Sequence, residues 1–202
     1  VIPNAVGVDI GCGMCAVKTS LKVEDIPQEV LRKQILRGIR KQIPLGFDHH
    51  KAAQDEAYMP QGFDIDTLTV VRRQYESAKK QVGTLGGGNH FIELQKDAEG
   101  TLWVMIHSGS RNLGAQVGGF YNEKDMAFLP MQSDEAHQYW NEMNYCVEFA
   151  LCNRRLMMER ICATIGEVYP DAQFEPMFNI AHNYAVWEHH FDENVIVHRK
   201  GA

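Results

Sequence analysis

The chain has 202 residues, 45% of them apolar and 23% charged, with a formal net charge of −6. Length and composition fit one large or two small globular domains with a sizeable core and exclude a disordered chain. No apolar run reaches the ~20 residues that span a bilayer, no secretory signal opens the chain, and the acidity argues against nucleic-acid binding by the whole surface while allowing a local basic groove.

Five cysteines (12, 15, 146, 152 and 162) are an odd number without the spacing of a disulfide framework. A reducing cytoplasm is their simplest setting.

Met14 to Ser20 alternates as a strand does. Glu24-Asp-Ile-Pro27 reads as a helix start, and Leu31, Ile35, Ile39 and Ile43 carry that helix to about Pro44. Residues 45–66 are polar and mixed and read as a long loop. Leu68, Val71, Tyr75, Ala78 and Val82 form one face of an amphipathic helix. Phe91–Gln95 and Thr101–His107 flank Asp97-Ala-Glu-Gly100 as a β-hairpin. Residues from Ser133 to Tyr169 are again helical. Phe178–Ala181 and Val195–Val197 read as short strands. Helices and strands mix without a βαβ rhythm, so the expected class is α+β, one unit over residues 1–202. Val1-Ile-Pro at one end and the stop after His198-Arg-Lys-Gly-Ala202 suggest a segment of a longer chain.

The residues suited to chemistry gather at strand ends and tight turns. Asp9 and Cys12 lie in a glycine-rich turn before a strand. His90 opens one strand, His107 closes the next, and His182 follows a third. Cysteine, imidazole and carboxylate together suit a divalent transition metal. Cys12 and Cys15 also make a Cys-x-x-Cys, readable as a redox pair or half a zinc site. The residues after it look extended rather than helical, and no second such pair exists. Cys12 alone as ligand, with Cys15 structural, is the favoured reading. His49, His50, His137, His189 and His190 read as loop or surface residues. Gly83-Thr-Leu-Gly-Gly-Gly-Asn-His90 frees backbone N–H groups to face an anion, yet its spacing matches neither a Walker A loop nor a dinucleotide fingerprint. Ser108, Ser110 and Arg111 are candidate phosphate donors, and His198-Arg-Lys200 adds a small basic cluster.

Pro3-Asn-Ala-Val-Gly-Val-Asp-Ile-Gly-Cys-Gly-Met14 resembles the metal-binding signature of RtcB-type RNA-splicing ligases. Leu85–Glu93, His107–Arg111, Ala181–Asn183 and Arg199–Ala202 resemble further motifs of that family, in its order and along the whole chain. The resemblance implies an enzyme, partly present here, that joins RNA 2′,3′-cyclic phosphate or 3′-phosphate ends to 5′-hydroxyl ends. Its cofactors would be GTP and two manganese ions, its partner broken RNA such as tRNA halves, with a possible activating helper protein. Cys12 would bridge the two ions, Asp9 and His90 completing one site and His107 and His182 the other. Asn89, His90, Phe91, Ile92, Glu93, His182 and Asn183 would line the guanylate pocket. Arg111 would hold a phosphate, and Arg199 and Lys200 would lie along the RNA path.

The family's guanylated histidine sits in a His-Gly-x-Gly-Arg motif downstream of Arg-Lys-Gly-Ala. No such motif occurs here, so no catalytic nucleophile is expected within the segment, which alone would be inactive. Sequence expected upstream of Val1 is missing as well. Two other readings use the same residues: a two-metal phosphohydrolase or nuclease acting on RNA ends, and a non-catalytic metal-binding accessory of RNA repair.

Overall fold

The computed structural model describes residues 1–123 and 128–201. In chain order the elements are α1 (Pro3–Val6), β1 (Gly13–Lys22), α2 (Gln28–Val30), a π-helical stretch (Leu31–Leu36), α3 (Arg37–Gln42) and α4 (Thr69–Gln81). There follow β2 (Phe91–Lys96), β3 (Thr101–Ser108), α5 (Arg111–Asn122), α6 (Asp134–Val168), β4 (Phe178–Ala181), β5 (Asn183–His190) and β6 (Glu193–Lys200). An antiparallel sheet runs in the order β2-β3-β1-β4, and β5 and β6 form a separate hairpin. The class is α+β, as the sequence implies. Ala202, the end of the Arg199–Ala202 motif, lies outside the described residues.

The π-helical stretch has a cause in the sequence. Apolar residues spaced strictly by four drift around an α-helix of ~3.6 residues per turn. Wider i→i+5 turns absorb that drift, and Ile35, Ile39 and Ile43 all stay buried. The expected helix begins late: Val23–Asp25 is a 3-10 turn, and Pro27 precedes the first α-helical residue.

The buried apolar residues form two cores. One gathers Val6, Ile10, Val71, Val82, Leu113, Val117, Tyr139 and Phe149 between α4, α5 and α6. The other gathers Cys15, Val17, Val104, Ile106, Ile35, Ile161 and Ile165 between one sheet face and α6. Helix α6 serves the first core as far as Leu156 and the second from Met157 onward. Its start is capped by Ser133, whose Oγ accepts from Ala136 N at 3.2 Å, a contact of ~1 kcal/mol.

Helix α5 was not legible in the sequence, because Gly114, Gly118 and Gly119 depress helix propensity. The first two have a packing role. A Cβ on Gly118 would stand 2.7 Å from Gly7 O, and one on Gly114 3.2 Å from Val8 O. Their bare face lets the Gly7–Ile10 segment, which carries Asp9, lie directly on the helix.

Glu142 is buried in α6, and its Oε1 accepts from Val70 N at 2.5 Å and Val71 N at 3.4 Å. It thereby caps α4 from outside. Burial raises its carboxyl above the ordinary 4.5, against the opposing pull of those backbone hydrogen bonds. An acid whose folded pKa is raised binds more protons when folded, so the folded state loses stability as pH rises from 4.5 through that pKa. Glu142→Gln keeps the acceptor and removes the ionisation. Thermal denaturation at pH 8 is predicted to show a Tm about 2–4 °C higher per kcal/mol recovered, with the gain vanishing towards pH 4.5. An equal Tm difference at both pH values would contradict this.

Candidate metal centre

The register brings four segment ends to one level. Gly13 lies opposite Ser108 on one side and Ala181 on the other, and His107 lies opposite both Met14 and Phe91. Cys12 just precedes β1, His90 just precedes β2, His107 sits near the end of β3, and His182 follows β4. His182 N donates to Cys12 O at 2.8 Å and Gly11 N to Asn183 O at 2.7 Å, so the chain after β4 stays fastened to the Asp9–Cys12 turn.

The side chains then form two triads with one member in common. Asp9, Cys12 and His90 offer ligand atoms within 4.8 Å of one another, as do Cys12, His107 and His182. Cys12 Sγ is 3.1 Å from His107 Nε2 and 3.7 Å from His90 Nε2. His90 Nε2 is 3.1 Å from Asp9 Oδ2, and His107 Nε2 is 3.3 Å from His182 Nε2. His107 Nδ1 meets the carbonyl of Asn89 at 2.9 Å, which fixes its ring and leaves Nε2 facing the centre.

Burial, then the hydrogen bond and charge of Asp9, push the Cys12 thiol up to about 12. Burial also works to raise Asp9, but hydrogen bonds with His90 and Cys12 outweigh it and hold the carboxyl below its usual range. Burial, with His107 and Arg154 nearby, lowers His182, which keeps its imidazole neutral and its lone pair available. Converging imidazole nitrogens, a carboxylate and a thiol whose proton a cation would displace fit a divalent first-row metal.

The remaining expected site residues are less uniform. Phe91 packs its ring 5.4 Å from that of His107, on the site side of β2. Glu93 is exposed and accepts from Gln95 Nε2 at 2.6 Å, whereas Ile92 packs against the second core. Asn183 is buried and donates to Asp9 O at 2.5 Å. Arg111, half-buried with a positive φ of 58°, donates from Nε to Thr84 Oγ1 and from Nη2 to Gly46 O. Arg199 pairs with Glu188, and Lys200 donates to Val6 O at 2.7 Å. The expectation that Ser108 and Ser110 present hydroxyls to phosphate does not hold. Both are fully buried and donate instead to Leu85 O and Ile10 O. Cys15 lies in the second core, as a structural residue would. His189 and His190 are exposed on the β5–β6 hairpin.

Two residues of the site were missed. Asn153 accepts from Gly83 N at 2.7 Å and Thr84 N at 3.0 Å and donates to Ser108 Oγ and Gly109 O. Arg154 donates from Nη1 to Gly11 O at 2.9 Å and Ser108 O at 2.8 Å, and from Nε to Asn179 Oδ1 at 2.7 Å. Both are fully buried on α6. The available signal was a gap in the apolar face between Leu151 and Met158.

Fold and site together define an α+β protein with a cysteine-centred cluster of candidate metal ligands at the edge of an antiparallel sheet. The family described as tRNA-splicing ligase RtcB matches residues 1–64 and 54–202, and the chain belongs to that family. It is 30% identical to the RNA-splicing ligase RtcB of Escherichia coli K12, with 100% of this chain aligned to 58% of that protein. It is 27% identical to the tRNA-splicing ligase RtcB of Thermococcus kodakarensis (99% and 55%) and 31% identical to RNA-splicing ligase RtcB homolog 1 of Entamoeba dispar (100% and 49%). The chain thus spans roughly half the length of these relatives. No helix among the described residues is long and apolar enough to cross a membrane.

Gly109 shows how closely the centre is walled. A Cβ there would stand 2.3 Å from Asp9 Oδ1 and 3.3 Å from Cys12 Cα. Gly109→Ala is predicted to displace the carboxylate and weaken divalent-metal binding at least tenfold with native circular dichroism, as read by equilibrium dialysis. Unchanged affinity would show that Asp9 is not confined by this wall.

Proposed function

We propose that this chain is the metal- and nucleotide-binding portion of a GTP-dependent RNA ligase. The observation that carries the reading is the position of Cys12 in both ligand triads. A thiolate has lone pairs enough to serve two cations, and two cations a few ångströms apart clamp the attacking and leaving oxygens of a phosphoryl transfer. In this reading Asp9, Cys12 and His90 would hold one manganese ion, and Cys12, His107 and His182 would hold the other. Among these ligands, the carboxylate of Asp9 is the one that suits manganese. The exposed Asn89, the Phe91 ring, Glu93 and the glycine-rich loop before them are the proposed guanylate contacts. Ile92 and Asn183 act from behind, through packing and through the hold on Asp9. Arg111, Arg199 and Lys200 are the proposed phosphate and RNA contacts.

The proposed reaction transfers GMP from GTP, with loss of pyrophosphate, to a histidine outside these 202 residues. The GMP passes to the RNA 3′-phosphate, and the 5′-hydroxyl of the second strand then displaces it, forming the phosphodiester and releasing GMP. RNA with broken ends is the substrate, the cytoplasm the setting, and an activating helper protein a possible partner.

The test compares this chain with the longest natural chain that contains it, each incubated with GTP and manganese and weighed intact. The mass of one GMP added to the long chain alone is the expected result. An adduct on the 202-residue chain would overturn the assignment of the nucleophile. No adduct on either, with manganese bound, would overturn the ligase reading in favour of a hydrolase or an accessory protein.

A further inference from the structure

We propose that Arg154 is the positioning residue of the metal centre: one guanidinium sets the spacing of the backbone segments that carry Cys12, His107 and His182. The inference rests on reading those residues, with Asp9 and His90, as metal ligands.

Arg154 is fully buried, and its bonds are distributed in a particular way. Nη1 donates to Gly11 O and to Ser108 O, so a single nitrogen ties the residue before Cys12 to the residue after His107. Nε donates to Asn179 Oδ1, and Asn179 sits in β4, three residues before His182. Asn179 is itself anchored by donating from Nδ2 to Leu151 O at 3.0 Å. Asn153, the neighbouring residue on α6, holds Gly83 and Thr84, from which the loop to His90 departs, and also holds Gly109. One helical turn thus reaches every segment that supplies a candidate ligand.

The contacts have a directional logic. Triad geometry depends on backbone segments from distant parts of the chain, and sheet pairing begins only at Gly13 and Phe91. The ligand residues Asp9, Cys12, His90 and His182 lie beyond those ladders, where spacing rests on isolated bonds such as His182 N to Cys12 O and Gly11 N to Asn183 O rather than on continuous strand pairing. A planar guanidinium with donors in a fixed fork supplies the missing constraint better than a flexible ammonium. Nη2 of Arg154 has no hydrogen-bond partner among the described residues. A buried charged donor left unpaired is costly. Its retention here is understandable if the charge also faces the carboxylate of Asp9, whose attraction works against the desolvation of the guanidinium.

The experiment is cobalt(II) titration of the 202-residue chain, following the thiolate-to-cobalt charge-transfer band, with circular dichroism as a check on folding. Arg154→Met keeps the aliphatic stem and removes the fork. Arg154→Lys retains a charge and one donor point. Ile161→Ala makes a cavity in the second core on the same helix, at a residue that is not a candidate ligand, and controls for lost stability. The expected result is at least a tenfold loss of cobalt affinity and an altered band in Arg154→Met, partial recovery in Arg154→Lys, and native affinity and band in Ile161→Ala. Should Arg154→Met fail to fold, Asn179→Ala frees the Nε anchor, together with the Asn179 bond to Leu151 O, and is expected to lower affinity severalfold. Native affinity and band in folded Arg154→Met, or in Asn179→Ala if the Met variant does not fold, would overturn the role of Arg154. So would an equal loss in Ile161→Ala. A wild-type chain with no thiolate–cobalt band would remove the metal centre itself, and the inference with it.

Discussion

A guanidinium withdrawn from water must find acceptors, or its desolvation counts against the fold. Arg154 finds them in two backbone carbonyls and one side-chain amide, all from segments distant in sequence. Its place on α6 is the point where the helix passes from one apolar core to the other. Above it Phe149 and Ala150 are sealed, and below it Met157, Met158 and Ile161. Asn153 and Arg154 fill the seam with hydrogen bonds where side-chain packing would leave polar backbone unanswered. The candidate metal centre stands on that seam.

Crowding at the centre follows from the same arrangement. Two histidine nitrogens face each other at 3.3 Å, and one of them, His107 Nε2, lies 3.1 Å from the sulfur. Without a cation this draws together lone pairs and protons that gain little from each other, and the Cys12 thiol keeps its proton. A divalent ion would reverse the balance by taking the lone pairs and displacing the proton. Under the proposed ligase function, the net charge of −6 would not oppose RNA at such a place, because two bound ions would dominate the local field over a few ångströms.

Much of this was legible in the sequence. The β2–β3 hairpin is written in its alternation and in Asp97-Ala-Glu-Gly100, where Asp97 Oδ1 accepts from Glu99 N and Thr101 N. Helix α4 follows its apolar stripe, and the strand-end positions of His90, His107 and His182 foretold a shared edge. Other parts were hidden for physical reasons. The glycines of α5 serve a close approach that only the folded partner reveals. Strand β5 lacks clean alternation, because Asn183 and Ala185 are buried while Trp187 and His189 on the same face are exposed. Asn153 and Arg154 look like a solvated face, since a polar pair on a helix usually is one. Their role appears only when α6 is seen to be enclosed on both sides. The serines of His107-Ser-Gly-Ser-Arg111 misled for the converse reason: hydroxyls suited to phosphate were needed by carbonyls within the chain.

The central claim is that one sulfur is shared by two metal sites. Anomalous diffraction from crystals soaked in manganese tests it most directly. The account predicts two peaks flanking Cys12 Sγ, one beside Asp9 and His90 and the other beside His107 and His182. A single peak, or two peaks of which only one contacts the sulfur, would contradict it.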